Sequence, residues 1–227
     1  MSLWTRIWDA FEALSSGSSL TDVFEALTRP PEKTLAFTIA VIGLGAKMAK
    51  ADGHVTRDEV VAFREVFQIE QADEADAARI FNLARQDVAG FDSYARTISK
   101  MFKDNPEVLD DLLEGLFYIA AADGVHHPLE DQFLAEVAEI FGMSSREFNA
   151  LRSRALPHEF ADPYVVLGVS RDDDLSVIKG KWQSIVRASH PDKMTARGVP
   201  KEAIKLATNR LVAVNEAWDA IQQERAA

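Results

Sequence analysis

The sequence predicts an all-α protein. Two observations carry this expectation. Apolar residues recur at helical spacing along nearly the whole chain, and no stretch sustains the period-two alternation of a half-buried strand. Prolines and Gly/Ser runs then separate the helical stretches. Leu3, Trp4, Ile7, Trp8, Phe11 and Leu14 form one face of a short amphipathic helix, with Arg6, Asp9 and Glu12 off that face. A membrane-surface helix is usually richer in Lys and Arg, so this one is expected to pack on its own protein. Ser15-Ser16-Gly17-Ser18-Ser19 breaks it, and residues 20–27 make a second short helix that Arg29-Pro30-Pro31-Glu32 ends.

The most apolar run, residues 35–46, is well short of the roughly 20 residues a bilayer-spanning helix needs. It reads as a buried core helix. Further helical patterns follow at 56–67, 74–86, 91–102, 106–122, 128–141 and 145–154. A stretch bounded by Pro157 and Pro163 then marks a domain boundary. The expected plan is amphipathic helices at 1–33, a helical domain at 34–155, a linker at 156–161 and a second domain at 162–227.

In the last part of the chain Leu175, Ile178, Trp182, Ile185 and Val186 make one stripe, and Ile204, Ala207, Leu211, Val214, Trp218 and Ile221 make another. Two helices with facing stripes form an antiparallel hairpin. Between them lies Ser189-His190-Pro191-Asp192-Lys193. Pro191 lacks a backbone N–H and pushes His190 out of the α region, so the first helix stops here. The loop presents an imidazole, a rigid proline and a carboxylate, none of which is needed to fill a core.

Composition excludes several function classes. There is no cysteine, so disulfides, thiol catalysis and Cys-based zinc sites are ruled out. Net charge is −11. Residues 161–227 hold 10 Lys+Arg against 9 Asp+Glu, while residues 1–160 hold 15 against 27. An acidic surface does not suit nucleic acid, where neutralising phosphate dominates affinity. His190 and Asp192 suggest a general acid–base pair, but no nucleophile, cofactor loop or glycine-rich phosphate cradle accompanies them. No secretory signal is visible, and a cytoplasmic protein is expected.

The run Asp162-Pro163-Tyr164-Val165-Val166-Leu167-Gly168-Val169, an acidic helix start, Ile178-Lys179 and then His190-Pro191-Asp192-Lys193 resembles the J-domain of DnaJ-type co-chaperones. The connection through residues 194–202 is longer than in most J-domains and is similar to the DjlA branch; its 194–200 part is expected on the surface. Well-known DjlA members carry an N-terminal membrane anchor, which this chain is expected to lack. The resemblance implies that His190, Pro191 and Asp192 engage a DnaK-type ATPase chaperone and stimulate its ATP hydrolysis. The chain itself would then be no enzyme and need no cofactor. It also implies an electrostatic role for Lys179, Lys181, Arg187 and Lys193. Gln183-Ser184 stands where many J-domains carry Arg-Lys, and Ala188 replaces another common basic residue, so weak steering of the partner is expected. Trp182 falls on the apolar stripe and is expected in the core.

Ala51-Asp52-Gly53 and Ala122-Asp123-Gly124 form a faint internal repeat, each followed at one offset by a glutamate, Glu59 and Glu130. Duplicated helical halves of this kind resemble the TerB-like domain that precedes the J-domain in the DjlA branch. Asp52, Glu59, Asp123 and Glu130 are a candidate acidic site for a divalent cation. Helix capping explains most of the same residues: Gly53 and Gly124 suit left-handed helix ends, Thr56 and Glu59 a capping box, Pro128 a first turn. No metal is therefore expected, and His54, His126 and His127 are read as polar surface. An alternative function is a non-enzymatic interaction or stress-response protein acting through the acidic TerB-like domain, with or without a bound divalent metal, its charged face including Asp73, Glu74, Asp76, Asp87, Asp92, Asp110 and Asp111. The client and the oligomeric state are not readable from the chain.

Overall fold

The computed structural model describes residues 33–52, 60–61, 64, 69, 71–86, 90–122, 128–156, 162–199 and 205–226, and among them it holds ten helices and no strand. The expected N-terminal helices, most of 56–67, residues 157–161 of the expected linker, Gly53, Gly124 and the three histidines His54, His126 and His127 lie outside these residues.

The first core is built around α1, Lys33–Asp52. Phe37, Ile39, Ala40, Val41, Ile42, Leu44, Ala46 and Met48 are all buried, so over residues 37–48 this helix is buried on every side. Such a helix belongs at the centre of a bundle. It packs against α2 (Glu74–Gln86), α3 (Phe91–Met101), α4 (Pro106–Ala120) and α5 (Pro128–Ile140). Its Lys47 is retained inside with Nζ 5.0 Å from the Tyr94 ring centroid, a cation–π geometry that tolerates a buried ammonium. Pro106 and Pro128 open α4 and α5, where the missing N–H costs no intrahelical bond. Helix α6, Ser145–Ala155, begins with a full capping box: Ser144 Oγ accepts from the Glu147 N–H, and the Glu147 carboxylate accepts from the Ser144 N–H at 2.8 Å.

The second core belongs to α7 (Pro163–Leu167), α8 (Leu175–Ala188) and α10 (Lys205–Ala226). Tyr164, Val166, Leu167, Ile178, Val214, Ala217, Trp218 and Ile221 fill it. Trp182 stacks on Trp218 at 5.3 Å and 12° between planes, and its indole N–H donates to Asn215 Oδ1 at 2.8 Å. Trp182, expected in the core, is half-buried and packs against it from the edge. Leu175, the first residue of the expected stripe, is exposed instead, one turn short of Ile178, the first to reach the core.

The connection between the hairpin arms departs from expectation. It contains a further helix, α9, Pro191–Arg197, ended by Gly198 in the left-handed region at φ 98°. Met194, Arg197 and Val199 are buried, and Met194 and Val199 join the first core together with Leu206 and Ala207 of α10. Over its described residues, 194–199, this segment is thus not a surface loop. Its apolar side chains find a neighbouring core, which a count of residues between two helices does not reveal. The α10 stripe is correspondingly shared, its start in the first core and Val214 to Ile221 in the second. No helix among the described residues is long and apolar enough to cross a membrane.

Candidate functional site

The His190-Pro191-Asp192 tripeptide is the turn from α8 into α9. Helix α8 stops at Ala188, with Ser189 buried as its C-cap and Ser189 Oγ donating to the Ile185 carbonyl at 2.8 Å. His190 is the N-cap of α9, in extended conformation at φ −64°, ψ 131°, and Pro191 takes the first helical position. The Asp192 N–H donates to His190 Nδ1 at 3.2 Å. With Nδ1 accepting, the neutral ring carries its proton on Nε2. The imidazole and the carboxylate are fixed by backbone geometry yet turned to solvent, at 61% and 92% side-chain exposure.

Lys179, Lys181, Arg187 and Lys193 are all exposed. They do not share one face. Lys181 follows Lys179 by two residues, a rotation of about 200°, and its Cε reaches the vicinity of Gly168 on the α7 side. Lys179 and Arg187 are about 80° apart around α8 and share a side.

Behind the loop lies a buried charge cluster that sequence reasoning missed. Arg197, at the end of α9, donates from Nε (3.1 Å) and Nη2 (2.8 Å) to Asp111 Oδ2 on α4, and from Nη1 to Glu107 Oε2 and to the Ala188 carbonyl, both at 3.1 Å. Arg210, on α10, donates from Nη2 to Asp111 Oδ1 at 2.7 Å and pairs with Glu114. Asp111 is fully buried, and both of its oxygens are taken. Burial opposes the Arg210 charge, but Glu114 and Asp111 more than offset it and raise its pKa above the ordinary arginine value. Two signals for this cluster exist in the chain. Glu107, Asp110, Asp111 and Glu114 lie on one side of a helix whose other side is apolar, and Arg210 interrupts the stripe between Ala207 and Val214. Asp111 was expected on a solvated acidic face; it lies in the interior because two guanidiniums meet it there.

Of the candidate acidic site, only Glu130 has a described side chain, and it is buried at the start of α5. The side chains of Asp52, Glu59 and Asp123 lie outside the described residues. No group of three or more His, Asp or Glu among the described residues is placed to hold a metal ion.

Residues 38–153 match the family described as Tellurite resistance protein TerB. Over nearly its full span the chain is similar to curated proteins named Co-chaperone protein DjlA. One from Coxiella burnetii is 27% identical over 208 residues, covering 83% of this chain and 76% of that protein. One from Photobacterium profundum is 25% identical over 223 residues, covering 86% and 79%. One from Escherichia coli K12 is 24% identical over 216 residues, covering 84% and 79%. No solved structure matches at a significant level. An all-helical bundle matched over residues 38–153, followed by a hairpin turning on His-Pro-Asp, accounts for both likenesses: the chain belongs to the TerB family and has the arrangement of the DjlA branch of J-domain proteins.

Proposed function

We propose that this chain is a co-chaperone whose His190-Pro191-Asp192 loop binds a DnaK-type chaperone and stimulates its ATP hydrolysis. The observation that carries the reading is the pairing of fixed backbone with exposed side chains: the His190 imidazole caps α9 and Pro191 locks the turn, while the imidazole and the Asp192 carboxylate stay in solvent. Polar groups presented this way lose little freedom on binding. Asp192 accepts a charge-assisted bond from a partner arginine, and His190 offers its Nε2 proton. Lys193 and Arg187 add positive charge near the loop, and Lys179 and Lys181 add it farther up α8, on nearly opposite sides. The relatives named DjlA co-chaperones support the same reading. The chain itself performs no covalent chemistry; it favours one state of the partner and shifts its population. The TerB-like part selects the client or the location, and the site of action is the cytoplasm.

Single-turnover ATP hydrolysis by a DnaK-type chaperone tests this, with the wild type and His190→Gln added in turn. Stimulation that the variant loses is the expected result. Equal activity of both proteins, or none from the wild type, rejects the reading and moves attention to the TerB-like part.

A further inference from the structure

We infer that Arg197 is a positioning residue for the His-Pro-Asp loop, and that through it the TerB-like bundle sets the orientation in which the loop meets its partner. The inference rests on the co-chaperone reading above and adds a role for a side chain that does not itself touch the partner.

The loop is held at three points. On its upstream side α8 ends at Ala188, whose carbonyl has no intrahelical partner and accepts instead from Arg197 Nη1. A guanidinium at a helix C-terminus also complements the helix dipole. On its downstream side α9 is only seven residues long, and helices that short have no stability of their own in water. Its support comes from Met194 and Val199 in the first core and from the Arg197 bonds to Asp111 and Glu107. The third point is α10, where Arg210 takes the other oxygen of the same Asp111. One carboxylate on α4 therefore anchors α9 and α10, and the Arg197 fork extends the tie to the end of α8. None of these bonds reaches His190, Asp192 or Lys193, so the binding groups stay exposed while their frame is fixed. A hairpin without the bundle has only its own second core to hold this turn.

Arg197→Met removes the fork and leaves Asp111 paired with Arg210. Arg197→Lys keeps the charge, but one ammonium does not span Asp111, Glu107 and the Ala188 carbonyl as a planar fork does. Because the basic side chains of α8 are untouched, the chaperone concentration for half-maximal stimulation is expected to stay within about twofold. The maximal stimulated rate is expected to fall roughly tenfold in Arg197→Met, as for a misplaced rather than a missing group, with Arg197→Lys between it and the wild type. Near-UV circular dichroism from the Trp182–Trp218 stack verifies that the second core is intact in each variant.

A second measurement does not depend on any chaperone. The chain has no cysteine, so spin labels at Lys193→Cys and Lys103→Cys report one distance between loop and bundle. A narrow distribution in the otherwise wild-type chain that broadens with Arg197→Met is expected. A distribution that stays narrow, or one that broadens while maximal stimulation is unchanged, overturns the inference and leaves the co-chaperone reading standing. Absence of stimulation by the wild type overturns that reading itself, a result distinct from either.

Discussion

Two groups of charged residues have opposite fates. Arg197 and Arg210 are buried against Asp111 and Glu114, whereas His190, Asp192 and Lys193 face water. The interior group is neutral in sum, two guanidiniums against two carboxylates, with Glu107 at its edge. A buried charge persists only when paired and hydrogen-bonded, and here every ion pair joins α4 to another helix. The outer group forms no such network; its order comes from Pro191 and the His190 cap. The difference teaches that charge in this protein does two jobs, assembly inside and, in the proposed function, recognition outside.

The comparison is broken most severely from the inside. Asp111→Ala leaves two buried guanidiniums short of a partner and is expected to cost about 3–5 kcal/mol in denaturant unfolding. Loss of less than about 1 kcal/mol is the outcome that contradicts the pairing described here. Gly168→Ala is expected to cost less, about 1–2 kcal/mol from its left-handed backbone. That glycine sits at φ 68°, and an added Cβ meets Ala150 Cβ of α6 at 3.3 Å, so the same change also presses on the contact between the two cores.

Smaller still is Ser144→Ala, expected to cost about 1 kcal/mol through the lost cap. Its pH dependence has a defined sign. The backbone N–H of Ser144, and then its hydroxyl, hold the Glu147 carboxyl below the usual glutamate range. A depressed folded-state pKa contributes stability that is present above the unfolded value and is lost as pH falls through the folded one. The gap between wild type and Ser144→Ala should therefore narrow on acidification, and a gap that widens contradicts the box. At the other extreme, Asp192→Ala changes stability by no more than about 0.5 kcal/mol. In the proposed function it nonetheless abolishes stimulation of the chaperone. A variant that is both destabilised and inactive erases the contrast between the two groups.

Much of the fold was legible beforehand because its signals are local. The expected 74–86 helix matches α2 in both bounds, and the starts of α3 to α6 were read correctly at Phe91, Pro106, Pro128 and Ser145. Proline at a first turn, a serine cap and a 3.6-residue period are each written within a few neighbouring residues. The exposure of His190, Pro191 and Asp192 was likewise readable, since none of them belonged to an apolar stripe. Helix α9 was not: seven residues hold too little of a period to separate a helix from a polar loop.

The helical class, most helix starts and the turn at Pro191 follow from backbone sterics and short-range pairing alone. Only the tertiary structure decided that Met194 and Val199 enter the first core and that Asp111 receives Arg197 and Arg210 from 86 and 99 residues away. The physical reason is range. A cap or a stripe stabilises its own segment whatever else the chain does, whereas a buried ion pair is favourable only once distant helices have together removed the water around it.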